Sequence, residues 1–137
     1  MSLLRPLAQI RPDARTRGFW EACRRRELCF QRCADCGAFR HPPLGGCPHC
    51  ASDAAEWVPV RGPARVFSYT VVHHAAVPQL AGDVPYNVVV VEFDDAPGAR
   101  LISNLEGVGE IRIGMELELC WDEVDPEVVL PRFRPRG

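Results

Sequence analysis

The sequence contains no lysine; all sixteen of its basic residues are arginine. With its many alanines and thirteen prolines, this reads as the mark of a GC-rich genome rather than of a function. The chain also lacks any apolar run near the ~18 residues that a membrane-crossing helix requires. Its opening, MSLLRPLAQIRPDAR, has too short an apolar stretch and too many early arginines for a secretory leader. The expected compartment is therefore the cytoplasm, where thiols stay reduced and disulfides are disfavoured. Catalytic signatures are missing too: there is no G-x-S-x-G elbow and no H-E-x-x-H pair. His73 and His74 end one predicted strand and Asp94 and Asp95 the next, while Cys120 has no evident activating base. No nucleophile with its base is legible, so no independent enzyme activity is expected.

What the chain does have is cysteine in one place. The stretch RCADCGAFRHPPLGGCPHC, residues 32–50, holds four of the seven cysteines. The spacing is Cys33-x2-Cys36, ten residues, then Cys47-x2-Cys50. Two cysteines three apart on a tight turn aim both sulfurs at one point, and two such turns supply four thiolates around one ion. The favoured ion is zinc. Rubredoxin-type iron uses the same ligands, and spacing alone does not separate the two. A metal-free, decayed knuckle is the other alternative. Four protein ligands leave no open coordination position, so the metal is structural. Gly37 follows the first turn, where a positive φ is often required. Ala51 follows the second and suits that conformation less well, which predicts slight strain. His49 and His41 are read as turn and loop residues, since four sulfurs already fill the shell.

On the N-terminal side, PDARTRGFWEACRRREL predicts a short helix capped by Asp13 or Thr16. Phe19, Trp20, Cys23 and Arg24 share a face at helical spacing. Arg24, Arg25 and Arg26 fall in the last turn, where cations suit the helix dipole. They read as a solvated helix end, or as a contact for a phosphate or an acidic partner. Cys23 and Cys29 read as small core residues. Residues 28–58, with strands leading into and out of the first knuckle, form a zinc ribbon too small for a core of its own.

From Glu56 onward the pattern has period two. ARVFSYTVVHH places Phe67, Tyr69 and Val71 on one face, and YNVVVVEF reads as a strand buried on both sides. ARLISNL, MELELCW and EVVLPRFRP supply three more strands. In MELELCW, Met115, Leu117, Leu119 and Trp121 share one face and Glu116, Glu118 and Cys120 the other. DDAPG makes a hairpin, and EGVGEIRIG suits a turn or one helical turn. The resulting class is mainly β: a helical arm (1–27), a rubredoxin-like ribbon (28–58) and a five-stranded OB-type barrel (59–137). An open antiparallel sheet is the competitor, disfavoured because closure removes exposed edges.

Charge is unevenly placed. Residues 1–65 hold eleven Arg against six Asp and Glu, a net of +5; residues 66–137 hold five against twelve, a net of −7. An OB groove that follows a nucleic-acid backbone needs a basic surface, so the acidic barrel argues against single-stranded nucleic acid. That role is kept as the alternative from a different class.

Taken in order, FWEACRRRELCFQRCADCG, PP…CPHC, EWVPVRGPARVFSYTVVH, VPYNVVVVEFDD, LISNL, IRIGMELEL and LPRFRP resemble the family first catalogued as domain of unknown function thirty-five. The resemblance runs from about Pro12 to Pro135 and carries the metal positions over as Cys33, Cys36, Cys47 and Cys50. It implies an N-terminal helix, a zinc ribbon and an OB-fold. It also implies a noncatalytic partner of a thiolase-like or lipid-transfer-type enzyme acting on acyl-CoA, as in thiolase or steroid side-chain aldolase systems. The barrel would then help hold CoA, with Arg24, Arg25, Tyr69 and His73 as candidate contacts. A free-standing acyl-CoA-binding protein is the further alternative under the same resemblance.

Overall fold

The entry into the helix is set by Asp13. In the computed structural model, which describes residues 10–137, its carboxylate accepts the backbone N–H of Arg15 and of Thr16, each at 2.9 Å. The first nine residues of the predicted arm lie outside the described residues. Helix α1 then spans Arg17–Arg24, with Thr16 at the N-cap position but no capping bond from its side chain. Its buried stripe is Phe19, Ala22 and Cys23, with Trp20 half-buried. Arg24, expected on that face, points to solvent instead; Ala22 takes its place at i+3 from Phe19.

Three antiparallel strands make the ribbon: β1 (Cys29–Cys33) lies between β2 (Phe39–Arg40) and β3 (Ala55–Pro59). Gly18 of the helix sits against Trp57 of β3 so closely that a Cβ there would stand 2.3 Å from the indole nitrogen. Glycine in a helix costs about 1 kcal/mol relative to alanine, and here it admits the contact between helix and ribbon.

The second sheet runs β6-β5-β4-β7-β8, from β4 (Ala64–Val72), β5 (Tyr86–Phe93), β6 (Arg100–Ser103), β7 (Glu116–Asp125) and β8 (Val128–Pro135). A parallel bridge from Leu105 to Phe133 returns the β6 side to β8 and leaves a nearly closed five-stranded barrel. Strand β7 alternates as expected, with Leu117 buried and Leu119 and Trp121 packed on the core. Strand β5 is not buried on both sides. Val89, Val91 and Phe93 face the core while Val88 and Val90 are half-buried, because no layer covers the outer face of an antiparallel barrel. The link from β6 to β7 is turns and bends, with no helical turn.

One apolar cluster joins all three parts: Phe19 and Cys23 from the helix, Leu28 and Phe30 from the ribbon, and Val66, Val89, Val91, Phe93 and Phe133 from the barrel. Phe30 is fully buried and meets Phe93 at 5.0 Å between ring centroids; Phe93 meets Phe133 at 6.0 Å. His41 belongs to this contact too. Its backbone lies in a loop, as the sequence suggested, but its ring packs 4.9 Å from both Phe19 and Phe30. Burial pushes its pKa down to about 4.

Two expectations follow. Phe30→Ala should cost about 3–5 kcal/mol in urea unfolding, the usual effect of emptying a fully buried aromatic site. A cost near zero would mean that ribbon and barrel are not coupled through it. Because folding holds the His41 pKa below the value near 6.5 of an unfolded chain, acidification protonates the unfolded state first. Stability should therefore drain as pH falls from about 6.5 toward 4. His41→Phe should flatten that segment of a pH–stability curve relative to the parent chain.

Candidate metal centre

The four cysteines sit on two turns with the same bond pattern. In the first, the Gly37 N–H donates to the Cys33 carbonyl at 2.9 Å and the Cys33 N–H to Ala38 at 2.8 Å. In the second, the Ala51 N–H donates to the Cys47 carbonyl and the Cys47 N–H to Ser52, both at 2.9 Å. Each turn also aims a backbone N–H at its first sulfur: Cys36 to Cys33 at 3.5 Å, and His49 to Cys47 at 3.4 Å. Both turns end in a left-handed residue, Gly37 at φ 78° and Ala51 at φ 64°. Alanine there carries a strain of about 1–2 kcal/mol that glycine escapes.

The strands bring the turns face to face. All four sulfurs lie within 4.8 Å of one another; Cys33 and Cys50 are 3.6 Å apart and Cys36 and Cys47 3.5 Å. These distances are too long for a disulfide, whose sulfurs stand about 2.05 Å apart. They match the roughly 3.8 Å between thiolates arranged tetrahedrally around an ion with bonds of about 2.3 Å. The group fits a four-thiolate metal ion, and no histidine or carboxylate joins it among the described residues.

The local electrostatics lower the first thiol of each turn and raise the second, Cys36 and Cys50. The Cys36 N–H holds the Cys33 thiol down at about 6, and the His49 and Cys50 N–H groups lower Cys47. A lowering bond from the Ser52 backbone does not keep Cys50 down; its hydrogen bond with the Cys33 sulfur pushes it up to about 12. In the absence of a cation the four sulfurs share protons; a bound cation would favour release of all of them.

The other sequence candidates lie on separate elements. Arg24 and Arg25 stand exposed at the end of α1, Arg24 3.6 Å from Glu127 and Arg25 3.9 Å from Glu27. Arg26 pairs with Glu123 at 3.0 Å. Arg24 and Arg26 thus meet acids of the β7–β8 hairpin, while Arg25 pairs locally, all through exposed pairs worth at most about 1 kcal/mol each. Tyr69 and His73 are exposed, on β4 and just beyond it. Asp94 is ion-paired to Arg65 at 3.3 Å, and Cys120, 3.9 Å from Glu106, is pushed up to about 11 by burial and that carboxylate. Tight CxxC turns are expected to point backbone N–H groups inward, and here those of Cys36 and His49 reach the sulfurs.

The strain at Ala51 is testable. Ala51→Gly should raise stability by about 0.5–1 kcal/mol, the left-handed strain relieved less the added freedom of the unfolded chain. Cys47→Ser should abolish metal retention, read by elemental analysis of the purified chain, and melt the ribbon amides in an exchange experiment.

The comparisons with known proteins agree with this architecture. Residues 20–56 match the family model of the ChsH2 rubredoxin-like zinc ribbon domain, and residues 57–122 that of the ChsH2 C-terminal OB-fold domain. A probable enoyl-CoA hydratase alpha subunit of Thermomonospora curvata is 45% identical over 135 residues, covering 96% of this chain and 40% of the relative. The 3-oxo-4,17-pregnadiene-20-carboxyl-CoA hydratase alpha subunit of Mycobacterium tuberculosis is 36% identical over 136 residues, covering 96% of this chain and 42% of the relative. The chain thus spans about two fifths of the length of the curated relatives it matches. A solved chain of the Ltp2-ChsH2(DUF35) aldolase is similar with a TM-score of 0.79 and 43% identity, over 91% of this chain and 98% of that one. A DUF35-family protein of unknown function from Sulfolobus solfataricus shares the fold, with a TM-score of 0.64 and 19% identity over 90% and 86% of the two chains. The chain therefore belongs to the DUF35 family, as a ChsH2-type zinc ribbon joined to an OB-fold.

Proposed function

We propose that this protein is a noncatalytic subunit of a thiolase-like acyl-CoA enzyme, of the aldolase kind, with a structural zinc ion. One observation carries the reading: a chain 43% identical, matched over 98% of its length, is part of the Ltp2-ChsH2(DUF35) aldolase. The chemistry of the chain supports it. The metal centre has four sulfur ligands and no open position. Zinc suits a closed four-thiolate cage, and its work there is to order a ribbon whose strands are five residues or fewer. No helix among the described residues is long and apolar enough to cross a membrane. The proposal places the protein in the cytoplasm.

The reading extends to the substrate. Arg24 and Arg25 hold only weak surface pairs, which a CoA phosphate would displace at little cost. Tyr69 and His73 are exposed for contact with the pantetheine or acyl portion. The acidic barrel surface leaves nucleic acid without support.

Co-expression with the Ltp2-type protein of the same genome tests the proposal. A stable complex should form, and carbon–carbon cleavage of an acyl-CoA substrate should require both chains. Full activity of the Ltp2-type protein alone would overturn it. Elemental analysis should find one zinc per chain. Arg24→Ala with Arg25→Ala should raise KM for the CoA ester several-fold with little change in kcat, whereas a purely structural role would leave KM unaltered.

A further inference from the structure

Strand β4 is longer than its pairing on one side. Along its whole length it bonds β5, from Ala64 opposite Phe93 to Val72 opposite Tyr86. Toward β7 it pairs only through Ala64 and Arg65, and the last bonds on that side are those of Val66 with Met115 and Gly114. A bulge at Phe67, between Val66 and Ser68, then turns the strand. From residue 67 to residue 72 the β7 side has no backbone partner among the described residues. That is six residues of extended chain, roughly 20 Å, with every second N–H and C=O directed at open space.

Other edges of this fold are blunted. Strand β2 is two residues long and is followed by Pro42 and Pro43; β3 ends at Pro59; β6 is bridged back toward β8 through Leu105 and Phe133. The free half of β4 carries none of these devices. FSYTVV has no proline and no charge, and from Val66 to Gly82 the sequence has no Arg, Asp or Glu in a chain that is 25% charged. Three of the six exposed large hydrophobic residues are on it: Phe67 at 39% exposure, Tyr69 at 41% and Val71 at 41%. Ile113, beside the point where pairing stops at Gly114, is a fourth, at 64%. An uncharged edge of high strand propensity recruits further strands unless something covers it.

We propose that an extended segment of the partner enzyme adds to the barrel along residues 67–72 of β4, as a sixth strand. The inference rests on the partner-subunit reading above and deepens it by naming the contact. The edge selects its occupant chemically. A row of alternating N–H and C=O groups is satisfied by another extended backbone, not by a helix. Residues 67–72 carry no charged side chain to pair, and the Arg100 guanidinium beside them is already stacked on the Phe67 ring at 3.7 Å, so the incoming segment is apolar or β-branched rather than charged. A second copy of this chain is the weaker occupant. Six paired residues bury far less than the roughly 1,000 Å² of a stable interface, so the added strand belongs inside a wider contact with a different protein.

The experiment is amide hydrogen exchange on the full chain, alone and in its complex with the co-expressed Ltp2-type protein. Amides of residues 67–72 should be slowed at least tenfold in the complex. Val71→Lys should weaken the complex at least tenfold while leaving the circular dichroism spectrum and the metal content of the chain unaltered. A complex that forms without slowing this segment overturns the strand addition but leaves the partner reading standing. Failure of the two proteins to associate overturns both. A concentration-dependent dimer of the isolated chain, with the same amides slowed, overturns the choice of occupant.

Discussion

The burial of Phe30 against Phe93 is the contact on which ribbon and barrel both depend. A ribbon of three strands, none longer than five residues, cannot bury enough apolar surface to hold itself. Two things compensate. The cysteine cluster draws its outer turns together, and Phe30 drives the other end of β1 into the barrel's own core. The cysteine cluster and the phenyl ring act at opposite ends of β1, since Cys33 ends the strand and Phe30 lies near its start. The helix completes the arrangement, packing Phe19 beside His41 and letting Trp57 rest on Gly18. The barrel contributes more than a neighbour's surface: two of the aromatic rings in the continuous stack, Phe93 and Phe133, are its own.

This division of labour explains what was legible in the sequence. The paired Cys-x2-Cys spacing is a local code, so the clustering of Cys33, Cys36, Cys47 and Cys50 could be read directly, and the left-handed requirement at Gly37 and Ala51 followed from turn geometry. Period-two alternation gave β7 with its correct faces, because that strand has one core face and one wet face. Strand β5 misled because four consecutive valines give no alternation to read; which of them face the core is decided by the neighbouring strands. Arg24 misled because at one helical turn from Trp20 it lies on the margin of the stripe, where either direction satisfies the pattern. His41 was invisible for a different reason. Its burial depends on Phe19 and Phe30, both distant in sequence, and no property of a loop next to two prolines announces such neighbours.

The charge step along the sequence has a structural use. The basic end of α1 reaches the acidic hairpin of β7 and β8 through Arg24 with Glu127 and Arg26 with Glu123. Individually such exposed pairs contribute little. Together they orient the helix end relative to the hairpin, while the buried contacts supply the energy. The same segregation leaves the stretch from Val66 to Gly82 without charged residues, so the surface that differs most in character from the rest of the chain sits on one strand and the loop that follows it.

The fit between Gly18 and the Trp57 indole bears on heredity as well as on packing. Helix, ribbon and barrel look separable when the sequence is divided by motif. Yet recombination between ribbon and barrel would strand Phe30 without Phe93, and recombination between helix and ribbon would strand Trp57 over a foreign side chain. Crossovers that preserve a folded product fall outside the whole block.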